Sequence, residues 1–193
     1  MTREEACSKI DEAVINFKLA GKVQEIIPYG SGHINDTFRV RCEGEHLYIL
    51  QRMNHEIFTQ PDKLMENILG VTRFLRTKIV ENGGNPDRET LNVIPTIDEK
   101  PFYVDSIGCY WRVYKFIQDA TTYDLVTKPE DFYDSAVAFG HFQRLLADYP
   151  AETLHETIVN FHNTVDRFAK FKAAVEADSE GRATSVQEEI KFV

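Results

Sequence analysis

Cysteine is scarce in this chain, and what there is does not pair by spacing. Cys7, Cys42 and Cys109 are far apart, and none belongs to a C-x-x-C pair. A zinc site or dithiol redox motif is therefore not expected. An odd count without a secretion signal fits reduced thiols in the cytosol, so a cytoplasmic location is the expectation. The opening Met1-Thr2-Arg3-Glu4-Glu5-Ala6 runs into a charged amphipathic segment and lacks the apolar core of a signal peptide. No run approaches the ~18 apolar residues a membrane span requires. Positive charge is also in deficit: 22 Lys and Arg stand against 31 Asp and Glu, a net charge of −9. Nucleic acid and anionic membranes select basic surfaces, so neither is an expected partner. There is no internal repeat and no low-complexity segment.

What is present begins with Tyr29-Gly30-Ser31-Gly32-His33-Ile34-Asn35-Asp36-Thr37-Phe38-Arg39-Val40. Glycine tolerates positive φ and has no Cβ, so this stretch can turn tightly and expose its N–H groups to a ligand. Successive N–H groups in such a turn can cradle an anion. The same Gly-Ser-Gly is also what a plain hairpin turn looks like, so its context decides. His33, Asn35 and Asp36 follow as a polar cluster.

Periodicity predicts a helix over residues 2–20, with Ala6, Ile10, Ala13, Val14 and Phe17 on one face and Gly21 as its stop. Strands are expected at 24–29, 35–42 and 46–52, with Glu43-Gly44-Glu45 as a turn. Pro61 then opens a helix whose buried stripe is Leu64, Ile68, Val71, Leu75 and Ile79, ended by Gly83-Gly84. Three further strands are expected at 91–96, 101–106 and 109–117. Residues 118–122 are polar and aperiodic. Beyond them only helices are expected. One starts at a Thr127-x-x-Glu130 capping box, one spans 163–177, and one starts at Ser185-x-x-Glu188. A single helix between two antiparallel strand groups is an α+β pattern. The division it suggests is 1–117, a linker at 118–124, and a helical part from 125 to 193.

Three pieces together, Tyr29–Val40, Tyr48-Ile49-Leu50-Gln51-Arg52-Met53-Asn54 and the helix start from Pro61 to Thr72, resemble the amino-terminal part of the N-acetylhexosamine 1-kinases. These belong to the aminoglycoside phosphotransferase and choline kinase-like group. The resemblance runs over all 193 residues and covers roughly the first half of such kinases. It implies a protein-kinase-like fold: an antiparallel-sheet N-lobe, then the first helices of an incomplete helical C-lobe. ATP would lie between the lobes, with Mg2+ held by residues beyond position 193, and a sugar would be phosphorylated on its anomeric hydroxyl.

The resemblance also assigns residues. Gly30, Ser31 and Gly32 would cover the ATP phosphates. The lysine place of the third strand falls on Gln51, with Arg52 beside it on the opposite face of an ideal strand. Either could reach phosphate. Glu66 would brace the strand residue from the helix. Backbone groups around Lys115 and Phe116 would hold the adenine edge. His33 would face the sugar hydroxyls, with Asn35 and Asp36 stabilising the loop or meeting substrate. His141 and His162 read as packing or surface residues. The catalytic loop of these kinases needs a His-x-Asp with a downstream Asn and Asp. His155-Glu156-Thr157 and His162-Asn163-Thr164 do not supply it, so the chain has no assignable catalytic residue and no metal ligand. Turnover by this piece alone is not expected. An incomplete helical part would expose apolar surface and favour self-association. Two other readings stay open: a non-catalytic binding module of the same fold, and a phosphotransferase for homoserine, choline or an aminoglycoside. A sulfatase is disfavoured, because no cysteine begins a Cys-x-Pro-x-Arg site.

Overall fold

A computed structural model describes residues 8–120, 123 and 125–193. The expected helix residue Ala6, together with Cys7 and the linker residues Thr121, Thr122 and Asp124, lies outside the described residues. The chain is α+β and forms two compact units, one running to Thr157 and the other Ile158–Val193. The linker expected at 118–124 falls within the first.

In chain order the first unit contains α1 (Ile10–Val14), β1 (Val23–Pro28), β2 (Asp36–Cys42), β3 (His46–Met53), α2 (Pro61–Glu81), α3 (Pro86–Glu89), β4 (Val93–Ile94), β5 (Tyr103–Val104), β6 (Tyr110–Lys115) and α4 (Pro129–Leu145). The sheet has six strands in the order β1-β2-β3-β6-β4, with β5 also paired to β6. Every pairing is antiparallel. The only helix of more than four residues between β3 and β4 is α2.

Side chains alternate across a strand, so the register defines two faces. Phe38, Val40, Tyr48, Leu50, Trp111 and Val113 lie on one, packed with Ala13, Val14 and Phe17 of the N-terminal segment in a single buried core. Thr37, Gln51 and Arg112 lie in one row on the other, as Thr37↔Gln51 and Gln51↔Arg112 pairs. Helix α2 packs on this second face, where Met65 Sδ is 3.8 Å from Arg112 Nη1.

The N-terminal helix is shorter than its periodicity suggests. It ends at Val14, and the chain turns to bridge the sheet at Phe17↔Thr96. Lys18 N donates to Pro95 O (3.0 Å) and Ile97 N to Asn16 O (2.9 Å). Of the expected apolar face, Ala13, Val14 and Phe17 are buried, Phe17 at the sheet bridge and not on a helix. Gly21 is accordingly not a helix stop. At φ +79° it lets the backbone pass Glu43, where a Cβ would stand 2.7 Å from the Glu43 carbonyl oxygen.

The buried residues of α2 are Pro61, Met65, Thr72, Leu75 and Ile79. Leu64, Ile68 and Val71 are only half-buried. The stripe is displaced because α2 is covered on two sides. Away from the sheet a strap from Asp148 to His155 runs along it. Lys78 Nζ bonds Asp148 Oδ2 (2.6 Å), and the Tyr149 ring packs edge-on against Phe74 at 5.2 Å. Asn67 exchanges two hydrogen bonds with the His155 backbone (2.8 and 2.9 Å).

Both expected capping boxes are absent. Pro129 takes the first helical position of α4. The N-cap therefore falls on Lys128, and Thr127 lies one residue outside. Ser185 sits in a tight turn, its hydroxyl donating to Arg182 O (2.8 Å). In the second unit, α5 (Thr164–Ala177) matches its expected span and starts at a side-chain cap, where Asn163 Oδ1 accepts from Asp166 N (3.0 Å). A short α6 (Gln187–Phe192) follows. No helix among the described residues is long and apolar enough to cross a membrane.

Candidate functional site

Tyr29 N donates to Thr37 O (2.9 Å), closing the β1–β2 connection. Gly30 has φ +81°, a conformation that L side chains rarely adopt. Among the described residues no atom beyond the glycine's own chain neighbours lies within 4 Å of where a Cβ would stand at Gly30 or Gly32, so the tip is open there. His33 and Ile34 are exposed, Asn35 is half-buried and Asp36 is buried.

Beneath this tip is a pocket of about 270 Å³, lined by Gly32, His33, Ile34, Asp36, Arg52, Asn54, His55 and Glu56. Its floor is a cross-strand pair. Register places Asp36 opposite Arg52. Arg52 Nε donates to Asp36 Oδ2 at 2.7 Å, and Nη2 donates to the same oxygen. The two side chains are 15% and 9% exposed, so the pair is largely desolvated. Asn35 Oδ1 accepts from Asn54 N (2.9 Å), tying the loop to the end of β3. Asn54 Oδ1 accepts from Glu56 N (3.1 Å) and holds the following turn. The His55 ring lies 5.5 Å from Tyr110, and its buried Nδ1 has no hydrogen-bond partner among the described residues. Besides its two histidines the lining carries one guanidinium and two carboxylates. It therefore favours hydroxyl or amine groups over phosphate.

Gln51 faces the other way. Its amide Nε2 donates to Thr37 Oγ1 (2.9 Å), and its Oε1 accepts from Arg112 Nε (3.0 Å) and Nη2 (2.7 Å). Arg112 is 8% exposed. Its guanidinium lies 5.1 Å from the centre of the Tyr114 ring. Among the described residues no carboxylate pairs with it. Burial holds the Arg112 pKa below its ordinary value, partly offset by Tyr114. Burial likewise pushes the Tyr114 phenol up to about 12, with Arg112 pulling the other way.

Glu66 does not brace β3. Its carboxylate meets His155 Nε2 at 2.6 Å, on the strap side of α2. Met65 is the residue that faces the sheet, and a helix turns about 100° per residue, which carries Glu66 away. The Lys115 ammonium bonds Asp87 Oδ2 (2.9 Å), and Asp87 also takes Arg76 Nη2 (3.0 Å). These two cations hold the Asp87 carboxyl below its usual range. Lys115 N donates to Asn92 O (2.9 Å) and Phe116 N to Leu47 O (3.0 Å). Their N–H groups are thus already used within the sheet. The Phe116 ring does meet Tyr29 edge-on at 5.5 Å, which places the root of the glycine loop beside the end of β6.

The structure therefore gathers Gly32, His33, Asp36 and Arg52 in one pocket, with Asn35 bonded to its rim. It sets Gln51 on the opposite face and Glu66 on another element's flank. Sequence reasoning missed Asn54, His55, Glu56 and Arg112. Arg112 carried one signal: a lone cation inside the apolar run Tyr110-Trp111-Arg112-Val113-Tyr114. Among the described residues there is no group of three or more His, Cys, Asp or Glu able to hold a metal ion. A larger groove in the second unit, about 740 Å³, is lined mainly by the apolar Phe161, Val165, Phe168, Phe171 and Val193, with His162, Thr164 and Arg167 beside them. Comparison with models of known protein families finds no match.

Proposed function

We propose that this chain is the ligand-positioning part of an ATP-dependent phosphotransferase of protein-kinase-like architecture, acting on a hydroxyl of a small polar molecule. The anomeric hydroxyl of an N-acetylhexosamine is the first choice. Its carrying observation is the pocket under the Gly30–Asn35 connection, whose one guanidinium is already neutralised by Asp36. Such a lining offers an uncharged polyol several donors and acceptors without demanding an anion. The antiparallel sheet with α2 between β3 and β4, and the open glycine tip at the β1–β2 turn, support the same reading.

ATP supplies the phosphoryl group when bound; the chain's own residues position its partner. His33, at the exposed tip, faces the sugar hydroxyls, while Asn35 and Asp36 hold the tip to β3. Mg2+ has no ligand cluster among the described residues, and no step here depends on it. The sequence lacks the Asp/Asn/Asp set of a catalytic loop, so binding without turnover is expected. The excess of carboxylate in the pocket favours one second reading, an amine-bearing alcohol such as choline or an aminoglycoside.

The test is thermal unfolding and calorimetric titration of the 193-residue chain with N-acetylglucosamine, N-acetylgalactosamine, homoserine, choline and an aminoglycoside. Saturation at about 100 times Kd stabilises by about 2.7 kcal/mol. An N-acetylhexosamine should raise Tm by several degrees, with no sugar-dependent ADP release. A response confined to the amines selects the second reading; no response to any of them rejects the phosphotransferase assignment.

The partner expected besides substrate is a second copy of the chain. Helix α4 has no buried residue and leaves Phe132, Tyr133 and Phe139 between 67% and 71% exposed. Sedimentation velocity over a concentration series should show reversible self-association, abolished by Phe132→Glu with Phe139→Glu; a monomer at every concentration contradicts it.

A further inference from the structure

We propose that Arg112, and neither Gln51 nor Arg52, supplies the positive charge that holds the phosphates of a nucleoside triphosphate on the α2-facing side of the sheet. The proposal rests on the phosphotransferase reading and goes beyond it by assigning the anion anchor.

Burying a guanidinium without a counter-anion is costly, because it forfeits hydration that neutral partners replace only in part. Arg112 is such a case. Among the described residues its acceptors are a neutral amide oxygen and a thioether sulfur, and its guanidinium lies over the face of Tyr114. Buried ionisable groups without a structural counter-charge cluster at functional sites. Of the other cations on the central strands, Arg39 and Arg41 lie against Glu25 and Lys115 against Asp87, and Arg52 is differently placed. Arg52 lies on the opposite face and is bonded to Asp36 there.

The geometry also suggests where the anion goes. Gln51 Oε1 accepts from both Nε and Nη2 of Arg112, so one neutral oxygen occupies the guanidinium edge that can take two oxygens of a phosphate or carboxylate. Gln51 stands where an anion would dock, as a neutral placeholder. Gln51 and Thr37 are half-buried, so the row is approached from their side. A swing of the Gln51 amide frees both N–H groups for phosphate oxygens, and the Thr37 hydroxyl becomes an additional donor. The glycine tip follows directly from the strand end that pairs with Thr37.

The closing experiment titrates ATP, inorganic tripolyphosphate and adenosine into the wild-type chain and into Gln51→Glu and Arg112→Lys. In Gln51→Glu a carboxylate fills the fork from within, so the fold is kept and the anchor is occupied. Arg112→Lys keeps the charge and removes the fork. Wild type should bind ATP and tripolyphosphate and be insensitive to adenosine at the same concentration. Both variants should lose tenfold or more in affinity for the two anions, while the N-acetylhexosamine response of the pocket is unchanged. A loss below tenfold in either folded variant overturns the anchor and leaves the phosphotransferase reading standing. Should Arg112→Lys not melt cooperatively, Gln51→Glu alone decides. A wild type that ignores both anions but responds to sugar overturns the anchor alone, and one that ignores anions and sugars alike overturns the reading beneath it as well.

Discussion

Asp36→Ala is expected to destabilise the chain by about 3–5 kcal/mol and to abolish ligand binding in the pocket under the glycine tip. The magnitude is that of deleting one partner from a desolvated ion pair, which strands the other charge. Exposed pairs contribute far less, about 0–1 kcal/mol. Which regime applies is decided by burial. The side chains of Asp36 and Arg52 are 9% and 15% exposed, and Arg52 is registered against the fully buried Trp111. Arg52→Ala should cost a similar amount. The double variant should cost less than the sum of the singles, since it strands neither charge. Urea unfolding of the four proteins measures this cycle. A cost near 1 kcal/mol for Asp36→Ala, with additive singles, would return the pair to the class of surface bridges and remove the rigid floor from the pocket.

Much of the scaffold was legible because strand and turn signals here are local. The run 35–42 alternates polar and apolar residues from Thr37 on, 46–52 is rich in aromatic and branched residues, a Glu-Gly-Glu turn separates them, and β2 and β3 fall within a residue of them. Strands β4 and β5 are shorter than their apolar runs. Pro95 and Pro101, which lack an N–H, flank the turn between those runs and interrupt regular pairing. The N-terminal helix was over-read for the opposite reason. Its apolar spacing was right, but a neighbour 79 residues on, Thr96, captured Phe17 in a bridge. No local pattern reports such a partner.

The site was legible in part. His33, Asp36 and Arg52 converge because β2 and β3 are consecutive and their register follows from a short turn. Alternation also separated Gln51 from Arg52 correctly. Glu66 could not be resolved: on a helix covered from two sides, a one-residue difference decides which cover a side chain meets. Only the strap residue His155, 89 positions away, reveals its direction. Arg112 was hidden by its own strand. Its neighbours Tyr110, Trp111, Val113 and Tyr114 read as core, and a cation among them reads as an edge residue until the partner strands are known.

The second large effect concerns a residue outside the pocket. Asp105→Ala is expected to cost about 3–5 kcal/mol, although Asp105 meets no ligand in any reading above. Its carboxylate closes the β5–β6 hairpin. Oδ1 accepts from Ile107 N (3.0 Å) and Cys109 N (2.8 Å), and Oδ2 accepts from the Trp111 indole Nε1 (2.7 Å). Asp105 is 5% exposed, and Cys109 and Trp111 are fully buried. Alanine removes the acceptor from two buried donors, each costing about 1–3 kcal/mol when left unsatisfied. Asp105→Asn should recover part of the loss, because its one amide oxygen can serve either the backbone donors or the indole. The indole of Trp111 would then shift, read as a change in tryptophan fluorescence, which is unambiguous because Trp111 is the only tryptophan in the sequence. Since β6 also carries Arg112, the same variant should weaken anion binding by loosening the strand, and lower temperature should restore that binding. Anion binding lost at every temperature at which the variant is folded would instead mean that Asp105 acts on the site itself.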